Sequence, residues 1–130
     1  ESPAGIQGKA TQFVMILDAL QLRLLEKIRS DLAGYSVVRS TSPLDNRAIW
    51  LEIFADGIHK GNSCQTLLKK LNINCKEVAG LGNDYNDIDF LDICAEAYLV
   101  ANAPVNLQRH YKLVKSDKEE GFRECISNVL

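Results

Sequence analysis

Several things are missing from this chain, and each absence excludes something. No apolar run approaches the roughly 20 residues that a membrane-spanning helix needs. There is no basic surplus, because 15 Lys and Arg stand against 17 Asp and Glu for a formal net charge of −2, which argues against a nucleic-acid binder. No two of the four cysteines have C-x-x-C spacing. Cys64, Cys94 and Cys125 fall at apolar positions of expected helices, so they read as buried free thiols rather than a zinc site. Reduced cysteines fit a cytoplasmic protein. No signal peptide, internal repeat or low-complexity segment is visible. The opening Glu1-Ser2-Pro3-Ala4-Gly5 reads as a loop cut from a longer chain or a scar left by cloning. At 130 residues, one compact domain with a modest core is the default.

What the chain does have is concentrated in Gly80-Leu81-Gly82-Asn83-Asp84-Tyr85-Asn86-Asp87-Ile88-Asp89-Phe90-Leu91. A short apolar strand over 78–81 runs into a glycine turn, which delivers three acids and two amides as a helix begins. Carboxylates crowded at the carboxyl end of a strand repel one another unless a cation joins them. Mg²⁺ suits such a place, since it takes oxygen ligands and keeps other positions for water and phosphate. The plainer reading is a solvated acidic turn with Asp84 or Asn86 as a helix N-cap. A calcium loop does not fit. Ile88 would fall at a ligand position, Asp89 replaces the required glycine and the terminal Glu is absent.

Periodicity organises the rest. Residues 13–17 suit a buried strand, and Asp18 can cap the next segment. Leu20, Leu24, Leu25, Ile28 and Leu32 recur at helical spacing until Gly34. Strands are expected over 35–41 and 48–54, with a turn over 42–47 between them. Beyond 55–57, helices and strands alternate. Helices are expected over 61–71 and 87–94, strands over 97–101 and 112–114, and a short helix from Val105. Phe122, Cys125, Ile126 and Val129 form the stripe of a closing helix. Such alternation predicts an α/β fold with a parallel sheet flanked by helices.

Three elements then occur in order: Gly57-Ile58-His59-Lys60-Gly61-Asn62 opening a helix, the acidic turn, and Asn102-Ala103-Pro104 ending a strand. This order resembles the C-terminal part of the haloacid dehalogenase-like superfamily, in its Cof-type phosphatase branch. The resemblance covers roughly residues 10–130. It implies that residues 1–55 are the tail of an α/β cap domain and 56–130 the later part of a Rossmannoid core. It implies Mg²⁺ as cofactor, with Asn83, Asp84 and Asp87 at the metal element. Asn83 stands where the family has its first acidic ligand, so Asp84 and Asp87 are expected as the acidic partners. Asn86 and Asp87 match the family's N-D pair. Lys60 matches the catalytic lysine that contacts phosphate, and Asn86 and Asn102 are expected beside that phosphate. Without these neighbours, Lys60 would read as solvated and Asn102 as a turn residue. Asp89 is read as solvated, and His59 and His110 as bystanders. Arg39 and Arg47 lie in the cap portion and are candidates to meet an anionic substrate.

The family's nucleophile, the first Asp of a D-x-D-x-T/V element, has no counterpart. Asp87-Ile88-Asp89 is the one Asp-x-Asp in the chain and lies inside the metal element. The family's early Ser/Thr phosphate element is also unmatched. The expected function is therefore that of a parent enzyme: Mg²⁺-dependent hydrolysis of a small phosphorylated metabolite, such as a sugar phosphate, through an aspartyl-phosphate. The chain alone is expected to be inactive, and to self-associate or pair with the missing N-terminal half. The alternative is a non-catalytic binding or interaction module that keeps the fold.

Overall fold

The computed structural model describes residues 9–42 and 48–130. The readings on Glu1 to Gly5, on Arg47 and on most of the turn over 42–47 lie outside the described residues.

Strand β1 (Phe13–Asp18) ends on Asp18, whose carboxylate accepts the Gln21 N–H at 3.0 Å while the Gln21 side chain accepts the Asp18 N–H at 3.0 Å. This reciprocal cap starts a 3-10 segment (Ala19–Leu24) that passes into helix α1 (Leu25–Asp31). A single regular helix was expected there. Three residues per turn rotate Leu20 off the stripe, so it is exposed while Leu25 is buried. The φ of +94° at Gly34 explains the glycine that ends the helix, and β2 (Tyr35–Thr41) and β3 (Ala48–Ala55) come next. The antiparallel order is β1-β3-β2, with Met15 and Arg39 both opposite Leu51. Leu17, Leu25, Ile49 and Leu51 close this core. The apolar run in β1 is not a buried strand. As an edge strand it buries Leu17 alone and leaves Phe13, Val14, Met15 and Ile16 exposed.

The second half holds α2 (Lys60–Leu71), β4 (Ala79–Gly82), α3 (Ile88–Leu91), β5 (Glu96–Val100), β6 (Lys112–Val114) and α4 (Gly121–Val129). Strands β4, β5 and β6 are parallel in that order. Central β5 is covered on both faces, and Tyr98, Leu99 and Val100 are buried with Leu91, Leu107, Val114 and Cys125. The expected helix over 87–94 splits into a 3-10 turn (Tyr85–Asp87) and the four-residue α3. The short helix expected from Val105 does not form; successive turns close there through Leu107 N–H to Pro104 C=O and His110 N–H to Leu107 C=O. Of the closing stripe only Cys125 is buried, while Phe122, Ile126 and Val129 face outward. Cys64 and Cys94 are half-buried, and Cys75 is exposed. No helix among the described residues is long and apolar enough to cross a membrane.

Parallel pairing places the carboxyl ends of β4 and β5 side by side, with Gly82 opposite Leu99. The acidic turn and Asn102 therefore emerge at one edge of the sheet, where open α/β sheets present their ligand sites.

Candidate active site

Lys60 begins α2 directly after the turn at Gly57, whose φ is +74°. Asn62 fastens that turn by donating to the Gly57 C=O at 2.9 Å. The next residue, Gly61, is buried against α3: a Cβ there would stand 2.5 Å from the Asp89 carbonyl oxygen. The Lys-Gly pair thus has a steric reason. Only a residue without Cβ lets the start of α2 approach the acidic turn closely enough for Lys60 to reach it.

The reach ends on Asp87. Its Oδ1 forms a short ion pair with Lys60 Nζ, which also donates to Asn86 Oδ1 at 3.3 Å. Asp87 Oδ2 accepts the backbone N–H of Asn83 at 2.8 Å and of Asp84 at 3.3 Å. The Asp87 side chain is 7% exposed and that of Lys60 51%. The carboxylate is therefore the fixed member and the ammonium the solvent-facing one. Asp84 is buried in a different set of contacts. Its Oδ1 accepts the Thr41 hydroxyl at 3.0 Å and the Tyr85 N–H at 2.7 Å, and its Oδ2 accepts the Thr41 N–H at 2.5 Å. Asp84 thereby joins the acidic turn to the outer edge of β2. Asn83 is exposed. Asn102 is not joined to this group: its amide bonds Asp117, donating to the carboxylate at 2.9 Å and accepting the N–H at 3.2 Å. Asp89 is exposed, and His59 Nδ1 approaches it at 3.2 Å off the hydrogen-bond direction.

A cavity of about 470 Å³ opens beside the Lys60–Asp87 pair. Its polar lining is His59, Lys60, Ser63, Asn86, Asp87 and, from β3, Glu52, and Val38, Phe54, Ile58 and Phe90 are its apolar walls. Of the first sheet, the sequence offered Arg39 as a candidate to meet an anionic substrate, but not Val38 and Phe54 at this cavity or Thr41 on Asp84. The alternation of β2 shows which residues share a face but not that its edge meets a turn 43 residues further on.

For a cation, the donors are of the right kind. Asn83, Asp84 and Asp87 offer oxygen alone, which suits a hard ion such as Mg²⁺. A carboxylate has about four lone-pair directions, and Asp84 and Asp87 each accept three hydrogen bonds, so each keeps about one free. No cluster of three or more His, Cys, Asp or Glu able to hold a metal occurs among the described residues. Any ion here would thus draw most of its shell from water, phosphate or groups outside these residues.

The acidic turn, the lysine and the cavity thus lie together at the carboxyl edge of a parallel sheet. The family model for haloacid dehalogenase-like hydrolases matches residues 6–126, and the chain belongs to that family. A Streptococcus pyogenes protein provisionally named a phosphatase is 27% identical over 93 residues, which is 71% of this chain and 32% of that protein. The fold is shared with a solved Streptococcus mutans protein at 25% identity and a TM-score of 0.75, covering 91% of this chain and 44% of that one. It is also shared with a subclass IIB sugar phosphatase of the same superfamily at 14% identity and a TM-score of 0.72, covering 90% and 42%. The chain spans about a third of the curated relatives it matches, at 30% and 32% of their lengths.

Proposed function

We propose that this chain carries part of the active site of a Mg²⁺-dependent phosphomonoesterase acting on a small phosphorylated metabolite such as a sugar phosphate. Residues 1–55 are assigned to the tail of its cap and 56–130 to its core. The observation that carries the reading is the placement of Lys60 Nζ between Asp87 Oδ1 and Asn86 Oδ1 at the mouth of the cavity. An ammonium has three N–H bonds, and two are committed, which leaves one for a phosphate oxygen. Asp87 holds Lys60 in place, and Lys60 offsets charge that builds on the phosphoryl group. Asn86 orients the ammonium from its other side. Asn102, at the same edge of the sheet, is assigned to the rim of the phosphate pocket. Asn83, Asp84 and Asp87 would hold Mg²⁺, which when bound neutralises phosphate charge. The attacking aspartate would come from residues outside this sequence, since no D-x-D-x-T/V element occurs in it. The apolar strand β1 and the open edge of β4 would pair with those residues or with a second copy.

The test is an amide NMR titration of the chain with Mg²⁺ and then inorganic phosphate. Shifts should centre on residues 60 and 83–87, and those induced by phosphate should vanish in Lys60→Ala. Shifts centred on Cys64 or Cys94, or phosphate binding indifferent to Lys60, would overturn the reading.

A further inference from the structure

Arg39, on β2, is a half-buried cation held by a ring rather than by an anion. It lays its guanidinium 3.6 Å above the centroid of the Tyr85 ring. Its Nε is sealed from solvent and makes no hydrogen bond. The ion pairs of the structure involve other residues, so Arg39 has no carboxylate partner among the described residues. A buried donor without an acceptor is destabilising, and a guanidinium presents its donors in a planar fork that matches carboxylate or phosphate oxygens. Stacking on Tyr85 holds that fork in one orientation, and the Tyr85 hydroxyl is itself anchored on Asn106 at 2.7 Å.

Arg39 lines a second cavity, of about 340 Å³, together with Arg29, Tyr85 and Ile88. Asp89 also lines it and faces His59. Arg29 is paired with Glu26 at 3.2 Å, so the charges left in this cavity are the guanidinium of Arg39, fixed on Tyr85, and the exposed carboxylate of Asp89. Val38 borders both this cavity and the one at Lys60, so the two are neighbours across β2. Tyr85 lies within the acidic turn, one residue from Asn86.

We infer that Arg39 and Tyr85 form a subsite for a second oxyanion on the substrate, so that the favoured ligand is a bisphosphate or a phosphorylated carboxylic acid rather than a phosphomonoester with no second anionic group. The inference rests on the assignment of the Lys60 end to the reacting phosphate. The Lys60 cavity takes the first anionic group and Arg39 the second.

Calorimetric titration of the chain in Mg²⁺ with three probes tests this: glucose 6-phosphate, glucose 1,6-bisphosphate and 6-phosphogluconate. The bisphosphate, the phosphogluconate or both should bind at least about tenfold tighter than glucose 6-phosphate. Which of them does so identifies the second group as phosphate or carboxylate. Arg39→Met, which keeps the stem but removes the fork, should erase that preference and leave glucose 6-phosphate binding unchanged. Arg39→Lys, a charge without the planar fork, should restore only part of it. Lys60→Ala should weaken all three. Equal affinities in the native chain, or a preference that survives Arg39→Met, would overturn the subsite and leave the Lys60 assignment standing. Binding of all three that ignores Lys60, or no binding at all, would overturn the functional reading and the subsite with it.

Discussion

Replacing Gly61 with alanine sets two effects against each other. Helix propensity favours alanine over glycine by up to about 1 kcal/mol in a helix interior, and by less this near the N-terminus. The φ of Gly61 is not positive, so the backbone raises no objection. Space does. The added Cβ would sit 2.5 Å from the Asp89 carbonyl oxygen and 2.9 Å from the Asp89 Cβ, both parts of a packed helix rather than a flexible tip. Restoring an ordinary contact near 3.4 Å needs a displacement of about 0.9 Å between α2 and α3. Overpacking of this kind costs about 1–3 kcal/mol. Sterics should win, with a net loss of about 1–2 kcal/mol, read in urea as a midpoint lowered by about half to one molar. The same shift pulls Lys60 from Asn86, where the 3.3 Å contact has little slack, so phosphate-induced shifts at residues 83–87 should weaken too. An unchanged or raised midpoint would show that α2 and α3 do not approach this closely, and that the steric account of the Lys-Gly pair is wrong.

Four other outcomes are expected. The purified chain should show no Mg²⁺-dependent turnover of p-nitrophenyl phosphate; turnover lost in Lys60→Ala or Asp87→Asn would overturn the assignment of the nucleophile to other residues. Asp87→Ala strips the acceptor from two backbone N–H groups and should lower stability by about 1–3 kcal/mol in urea titration, whereas Lys60→Met, at a half-exposed site, should cost less. Burial, with the neighbouring Cys64 and Cys75, pushes the Cys94 thiol up to about 11. The folded state therefore prefers the neutral thiol, and the stability this contributes is full below the ordinary value of 9.0 and is lost as pH rises toward 11; Cys94→Ala should flatten that part of an alkaline unfolding profile. Light scattering should find the chain associated rather than monomeric, because β1 exposes Phe13, Val14, Met15 and Ile16 beside an open edge; a stable monomer in dilute solution would refute this.

Local chemistry was readable in the sequence, and partnership was not. The capping role of Asp18, the strands at Tyr35–Thr41 and Lys112–Val114 and the helix beginning at Lys60 come from patterns a few residues wide. That Lys60 and Asp87 belong to one site was expected only because two short elements stood in a known order; their direct contact, across 27 residues of sequence, was not read from it. Two of the readings that failed share a cause. The run in β1 and the stripe of α4 are apolar enough to be buried, but burial requires a covering element, and hydrophobic periodicity does not say whether one arrives. Arg39 over Tyr85 and Thr41 on Asp84 are contacts across a sheet edge, invisible to any local pattern.

The three acids of the turn are chemically alike and yet do three different things, and burial by particular partners separates them. Asp89 points outward toward His59 and stays exposed. Asp84 accepts the outward N–H and the hydroxyl of Thr41, so it satisfies backbone that an edge strand would otherwise leave open, and in doing so it fastens the first sheet to the second. Asp87 accepts two N–H groups of its own turn and faces Lys60, the ammonium that borders the cavity. Of the two buried acids, Asp84 is held through both oxygens by Thr41, whereas Asp87 already faces a positive charge with its turn intact. Asp87, with the exposed Asn83 amide beside it, is thus the part of the turn organised for charge, and Asp84 the part organised for assembly. The first sheet consequently bears on the site in two ways: Thr41 fixes the turn from behind, and Arg39 presents its charge two residues earlier on the same strand.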